Sequence, residues 1–119
     1  MKLMITISAL IFLVLSCHSQ GCNKLPERFS SYSQAITLVQ RSTFRISESA
    51  NTTGSSWLNS AKYYSCDGIK GYLIYSTNKG YQYIHSEVPV NVWSGFIKAE
   101  SKGSYYNSNI KYRYKLKLI

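Results

Sequence analysis

Apolar residues follow different rhythms in different stretches of the chain. Residues 3–15 are almost wholly apolar behind a lone basic residue, Lys2. The run is shorter than the roughly 20 residues that span a hydrocarbon core, and it has the form of an export signal. From Phe29 the apolar positions are Phe29, Tyr32, Ala35, Ile36 and Val39. That spacing predicts a helix over 29–41, with Ser30, Ser31 or Ser33 to cap its start. Alternation then takes over. Residues 43–48 predict a first strand with Phe44 and Ile46 on one side, and 56–66, 71–77 and 81–85 predict three more.

The connections Asp67-Gly68 and Asn78-Lys79-Gly80 carry hairpin-turn residues, so the strands should pair as an antiparallel meander. In the third strand Leu73, Tyr75 and Thr77 share a face opposite Tyr72 and Ile74. In the fourth, Tyr81, Tyr83 and His85 oppose Gln82 and Ile84. Helical spacing returns at Val88, Val92, Trp93, Phe96, Ile97 and Ala99, with Pro89 in the first turn and Gly103 expected just past the end. Tyr112, Tyr114, Leu116 and Leu118 then predict an edge strand with lysines outward. The expected architecture is α+β: a small antiparallel β-meander of about four strands, an N-terminal helix, and one helix packed on the sheet.

Cysteine placement adds a compartment. Val14-Leu15-Ser16-Cys17 resembles the bacterial lipobox, in which a small residue precedes a cysteine that is lipidated and becomes the N-terminus. This divides the chain into a signal peptide at 1–16, a tether at 17–28 and a single α+β domain at 29–119. It implies an exported protein of the bacterial cell envelope, held at a membrane through acylated Cys17. Export permits a disulfide between the two remaining cysteines, Cys22 and Cys66, without requiring one. Cys17-His18 with Cys22 has no second cluster to complete a zinc site, so no metal is expected. Asn51-Thr52-Thr53 matches a glycosylation acceptor that would be idle in a bacterial lipoprotein.

Of 119 residues, 14 are Lys or Arg and 5 are Asp or Glu, a net charge of +9 that falls to +8 once Lys2 is removed with the signal. In a cytosolic protein such a balance would point to nucleic acid. Outside the cytoplasm it points to an anionic surface, or to a solvated face.

A series of spaced motifs runs from Ser55 to Tyr114. It begins with Ser55, Ser56, Leu58 and Tyr63, followed by Leu73, Tyr75 and Thr77. Next come Gly80, Tyr83, His85 and Val88-Pro89. The closing signature is the most specific: Ala99, Ser101, Gly103, Tyr105, Tyr106, Asn107, Ile110-Lys111 and Tyr114. On these positions the chain resembles the KTSC domain, a small module found at the C-terminus of some lysyl-tRNA synthetases and alone in bacterial proteins; His85 stands where that family has a second tyrosine. The resemblance implies an interaction module, with RNA as a ligand proposed for the family.

Two groups of residues are candidates for binding. Ser101, Gly103, Asn107 and Lys111, with Tyr114 closing the signature, cluster where a helix is expected to end. They either hold an anion or peptide terminus, or form a capping turn. Tyr83 and His85 on one strand face form either a stacking platform or part of the core. No nucleophile with its base is evident. His85 and Glu87 share a face without a third group, so neither a catalytic residue nor a cofactor is expected. The expected function is a non-catalytic, membrane-anchored envelope module contacting a protein or glycan; nucleic acid is the alternative, disfavoured by export.

Overall fold

The alternating stretches pair as an antiparallel meander in a computed structural model of the chain, which describes residues 20–119. Strands β1 (Ile46–Ser49), β2 (Leu58–Ser65), β3 (Lys70–Thr77) and β4 (Gln82–Pro89) lie side by side in sequence order. The β2–β3 turn is built by Asp67, whose carboxylate accepts from the N–H groups of Ile69 and Lys70 at 2.8 and 3.1 Å. Those bonds hold the Asp67 carboxyl below its ordinary pKa. Gly68 supplies the positive φ of 78° that the turn requires.

Strand alternation sends side chains to two separate cores. Ala61, Tyr63, Leu73, Tyr75 and Val88 face helices α2 (Val90–Lys98) and α3 (Lys102–Asn109). Trp93 and Phe96 of α2, Tyr106 of α3 and the following Ile110 complete that cluster. Tyr64, Ile74 and Ile84 face the other way, under helix α1 (Tyr32–Arg41) with its Ala35, Ile36 and Val39. The sheet is thus covered on both faces. The division of Leu73 and Tyr75 from Ile74, and of His85 from Ile84, follows the alternation in the sequence.

Two bulges keep the pattern in phase. Gly71 lies opposite Val88 but Leu73 lies opposite His85, so β4 carries one extra residue at Ser86–Glu87, and Glu87 takes a φ of 56°. His85 and Val88 are three apart and would point to opposite faces of a regular strand; the bulge brings both to the α2–α3 side. A matching slip near Asn59 lets Leu58 join Ala61 and Tyr63. Gly71 lies opposite Val88 beside the β4 bulge, and on its other flank a Cβ would run into the carbonyl of Tyr64.

Several expected boundaries move. α1 starts at Tyr32, capped by Ser31, whose Oγ accepts from the N–H of Gln34 at 3.0 Å; Phe29 lies outside the helix and is buried beside Leu116. β1 begins only at Ile46, so Phe44 precedes the alternation and packs on the α1 side while Ile46 packs on the other. Val88 and Pro89 belong to β4, which the bulge prolongs; Pro89, with no N–H to place, ends the strand and caps α2. Gly103 does not follow a helix end. It sits in the first turn of α3, whose N-cap is Ser101, the Oγ accepting from the N–H of Ser104. The expected C-terminal edge strand is not formed: after a turn at 111–113 the tail makes only isolated bridges, His85 to Lys115 and Phe29 to Leu118.

The expected signal segment 1–16 and the expected lipidation site Cys17 lie outside the described residues. The described part of the expected tether, 20–28, is bound to the domain. The Cys22 N–H donates to the Thr43 carbonyl, the Thr43 N–H donates to the Gln20 carbonyl, and Cys22 forms a disulfide with Cys66. This bond, open at the level of sequence, ties the segment to the residue following β2, with Cα atoms 5.9 Å apart.

Replacing Trp93, which is 1% exposed and stacked on Tyr63 at 5.2 Å, by alanine should cost about 3–5 kcal/mol in urea unfolding. A loss near zero would contradict the packing of α2. Replacing both Cys22 and Cys66 by serine removes a link across 44 residues and should cost about 4 kcal/mol by loop-closure entropy, read by the same titration.

Candidate functional site

The end of the sheet opposite the disulfide carries an open cleft of about 880 Å³. Its floor comes from the C-terminal half of β3 and the N-terminal half of β4. Its wall comes from the C-terminal part of α3 and the tail around Lys111 and Lys115. Cross-strand register decides what lies there. Tyr75 pairs with Tyr83, so their rings stack with centroids 5.1 Å apart and an interplanar angle of 24°. Tyr75 also stacks on His85, at 5.9 Å and 15°. Trp57 meets Tyr75 edge-on at 5.9 Å, and Tyr106 does so at 5.0 Å.

A hydrogen-bonded chain runs beneath this aromatic floor. The Tyr75 and Tyr106 hydroxyls are 2.7 Å apart, and the Tyr106 hydroxyl is 3.0 Å from His85 Nε2. His85 Nδ1 is 3.0 Å from the Tyr114 carbonyl. A carbonyl only accepts, so Nδ1 carries a proton. Burial lowers the His85 pKa, with the Tyr114 bond offsetting part of the effect, so the ring is neutral at pH 7. Nε2 must then accept from Tyr106, and Tyr106 must accept from Tyr75. Burial pushes both phenols above their ordinary pKa, which keeps the two protons this direction needs. The chain joins β3, α3, β4 and the tail, and it leaves neither imidazole nitrogen free.

Charge around the cleft has one sign. Lys111 and Lys115 line it, and among the described residues no aspartate or glutamate does. The Lys111 ammonium lies over the Tyr112 ring, 5.3 Å from its centroid. Tyr83 is 45% exposed and Tyr112 73% exposed, so two ring faces remain open beside the lysines. Flat apolar surface next to cations that form no ion pair among the described residues suits a ligand with a ring face and negative charge.

The sequence-derived candidates divide. Tyr83, His85, Asn107 and Lys111 line the cleft together. Tyr114 takes part through its carbonyl, while its half-buried side chain packs on the α2–α3 core. Ser101 and Gly103 are not in the cleft. They border a separate recess of about 300 Å³ with Asn51, Ser55 and Ser56, where Ser101 is spent on capping α3. Gly103 serves packing: a Cβ there would come within 2.6 Å of Trp57 Nε1. Tyr75, Tyr106, Trp57, Tyr112 and Lys115 were not among the candidates. Tyr75 was within reach, since the Asn78-Lys79-Gly80 hairpin places it opposite Tyr83; Tyr106 required knowledge of α3.

Tyr106→Phe removes the hydroxyl between Tyr75 and His85 and should cost about 1–3 kcal/mol, measured by urea unfolding. The depressed His85 pKa also fixes a sign. Below the ordinary histidine pKa the unfolded chain binds a proton that the folded chain refuses, so stability falls as pH is lowered from 7 to 5. The carboxylates with lowered pKa, Asp67 and Glu87, act only below that window. The fall should therefore shrink in His85→Gln; an unchanged fall would contradict a buried neutral imidazole.

Residues 72–114, from β3 to just beyond α3, match the family model of the KTSC domain. The Ser55, Ser56, Leu58 and Tyr63 positions of the wider resemblance precede the matched segment. No curated protein and no solved structure matches the chain. All of β4, α2 and α3 and nearly all of the cleft's aromatic floor lie within the matched residues, so the part of the chain that builds the cleft is the part that matches the KTSC domain.

Proposed function

We propose that this protein is a non-catalytic binding module of the bacterial envelope, anchored by lipid on Cys17, whose cleft receives an anionic ligand with a ring face. The observation that carries the binding reading is the meeting of open, stacked aromatic rings with Lys111 and Lys115 in a cleft whose described walls hold no carboxylate. A non-catalytic role is supported by the hydrogen-bonded chain. Both nitrogens of His85 are engaged, and the Tyr75 and Tyr106 phenols are too basic to ionise near pH 7. The anchoring reading rests on the apolar run and the lipobox-like Val14-Leu15-Ser16-Cys17. Anchoring fits the fold, because the N-terminal segment is stapled at the sheet end opposite the cleft.

A second reading, binding of single-stranded nucleic acid, is favoured by one feature. Tyr83 offers an exposed ring, already stacked on Tyr75, beside lysines that can neutralise phosphate.

Trp57 emission reports on the cleft, since the other tryptophan, Trp93, is buried in the α2 core. Glucose 6-phosphate, a short oligothymidylate and polyglutamate would each be titrated into the protein at low salt. At least one should change Trp57 emission saturably, with Tyr83→Ala and Lys111→Ala each weakening it about tenfold. Silence from all three would overturn the binding reading. A response confined to the oligothymidylate, with a steep salt slope, would favour the second reading. Incorporation of labelled palmitate in a bacterial host should occur and should vanish in Cys17→Ala; incorporation that persists would contradict anchoring at that residue.

A further inference from the structure

The cleft does not lie on one face of the sheet. Its lining includes four consecutive residues of β4, His85 and, before it, the three residues Gln82, Tyr83 and Ile84. Side chains of consecutive strand residues point to opposite faces. Here Tyr83 stacks on Tyr75 on the α2–α3 side, whereas Ile84 belongs to the core under α1. A single concavity bordered by all three must therefore straddle the strand's edge, and it reaches Tyr32 of α1 on the far side.

That edge is open. β4 is the last strand of the sheet, with β3 on its inner side. On its outer side, among the described residues, the tail makes one bridge, Lys115 to His85, supported by the Ser86 hydroxyl donating to the Lys115 carbonyl at 3.2 Å. The tail then leaves toward Phe29. Beside Gln82, Tyr83 and Ile84 no strand follows among the described residues, and among them the backbone groups there that do not face β3 have no ladder. An unpaired edge between two side-chain walls is the geometry by which sheets take up an extended peptide.

We infer that the cleft binds an extended acidic peptide segment, which adds to β4 along Gln82, Tyr83 and Ile84 as a fifth strand. This rests on the binding reading above and names its ligand class. Charge selects the peptide. The cations at the edge are Lys111 and Lys115, with no carboxylate among the described lining residues, so a partner strand carrying Asp or Glu on alternate positions would meet them. Ring-bearing side chains on the positions between would lie against exposed Tyr83. Backbone pairing supplies affinity that does not depend on a particular sequence, and the tyrosines and lysines supply the preference.

The test uses the folded, disulfide-intact chain and a displayed library of short peptides in which Asp or Glu alternates with β-branched and aromatic residues. Peptides should enrich, and the best should bind at least tenfold more weakly to a Lys111→Glu, Lys115→Glu variant, both positions being exposed. N-methylation of alternate peptide amides should abolish binding in one phase and leave it intact in the other, because only one phase faces β4. Peptides that bind regardless of methylation would overturn strand addition. No enrichment, while glucose 6-phosphate or oligothymidylate still perturbs Trp57, would overturn the peptide and leave the anion cleft standing. Silence in both assays would remove both.

Discussion

Four segments that are distant in sequence are joined by one line of hydrogen bonds, and the cleft exists because of it. Tyr75 donates to Tyr106, Tyr106 to His85, and His85 to the Tyr114 carbonyl. The Tyr75, Tyr106 and His85 side chains are buried, so losing one member would leave its neighbour without its partner in the folded protein. The line holds α3 down on β3 and draws the tail against the outer edge of β4. If α3 or the tail drifted, the cleft would lose its wall and the two lysines their position. The bulge at Ser86–Glu87 is the local device that makes this possible, since it lets His85 and the core residue Val88 face the same side.

Much of this was legible in the residues. Alternation in 71–77 assigned Leu73, Tyr75 and Ile74 to their faces, and the Asp67-Gly68 and Asn78-Lys79-Gly80 turns dictated the meander. The α+β class and the burial of Trp93 and Phe96 follow from hydrophobic periodicity, while the KTSC resemblance rests on particular residues, above all the signature from Ala99 to Tyr114. Tertiary structure decided the rest. The extent of β4 depends on a bulge at Glu87, a non-glycine residue with positive φ that nothing in its neighbourhood announces. α3 was hidden because Ser101-Lys102-Gly103 reads as a helix stop, yet Ser101 caps a new helix whose sequence has little apolar periodicity. Tail alternation mimics a strand, but Tyr112 and Leu116 face different surroundings, one exposed at the cleft and one in the core beside Phe29.

The candidate site was half visible for a related reason. Tyr83, His85, Asn107 and Lys111 could be picked by chemistry, and the fold gathers them in one cleft. Ser101 and Gly103 look like ligand-binding residues for the same features that make a good helix start, a hydroxyl and a missing Cβ. The tyrosine excess also divides. Tyr63, Tyr64, Tyr75 and Tyr106 are buried in the cores, whereas Tyr83 and Tyr112 are presented at the cleft, where rings with open faces have a use beyond packing.

The hydrogen-bonded line makes a statement about one ring that nitrogen NMR can read. At pH 7 the His85 imidazole of the intact protein should be neutral, with its proton on Nδ1 and none on Nε2. Finding the proton on Nε2, or a doubly protonated ring, would mean that Tyr106 does not donate to it, and the account of how α3 and the tail are held over β4 would be wrong.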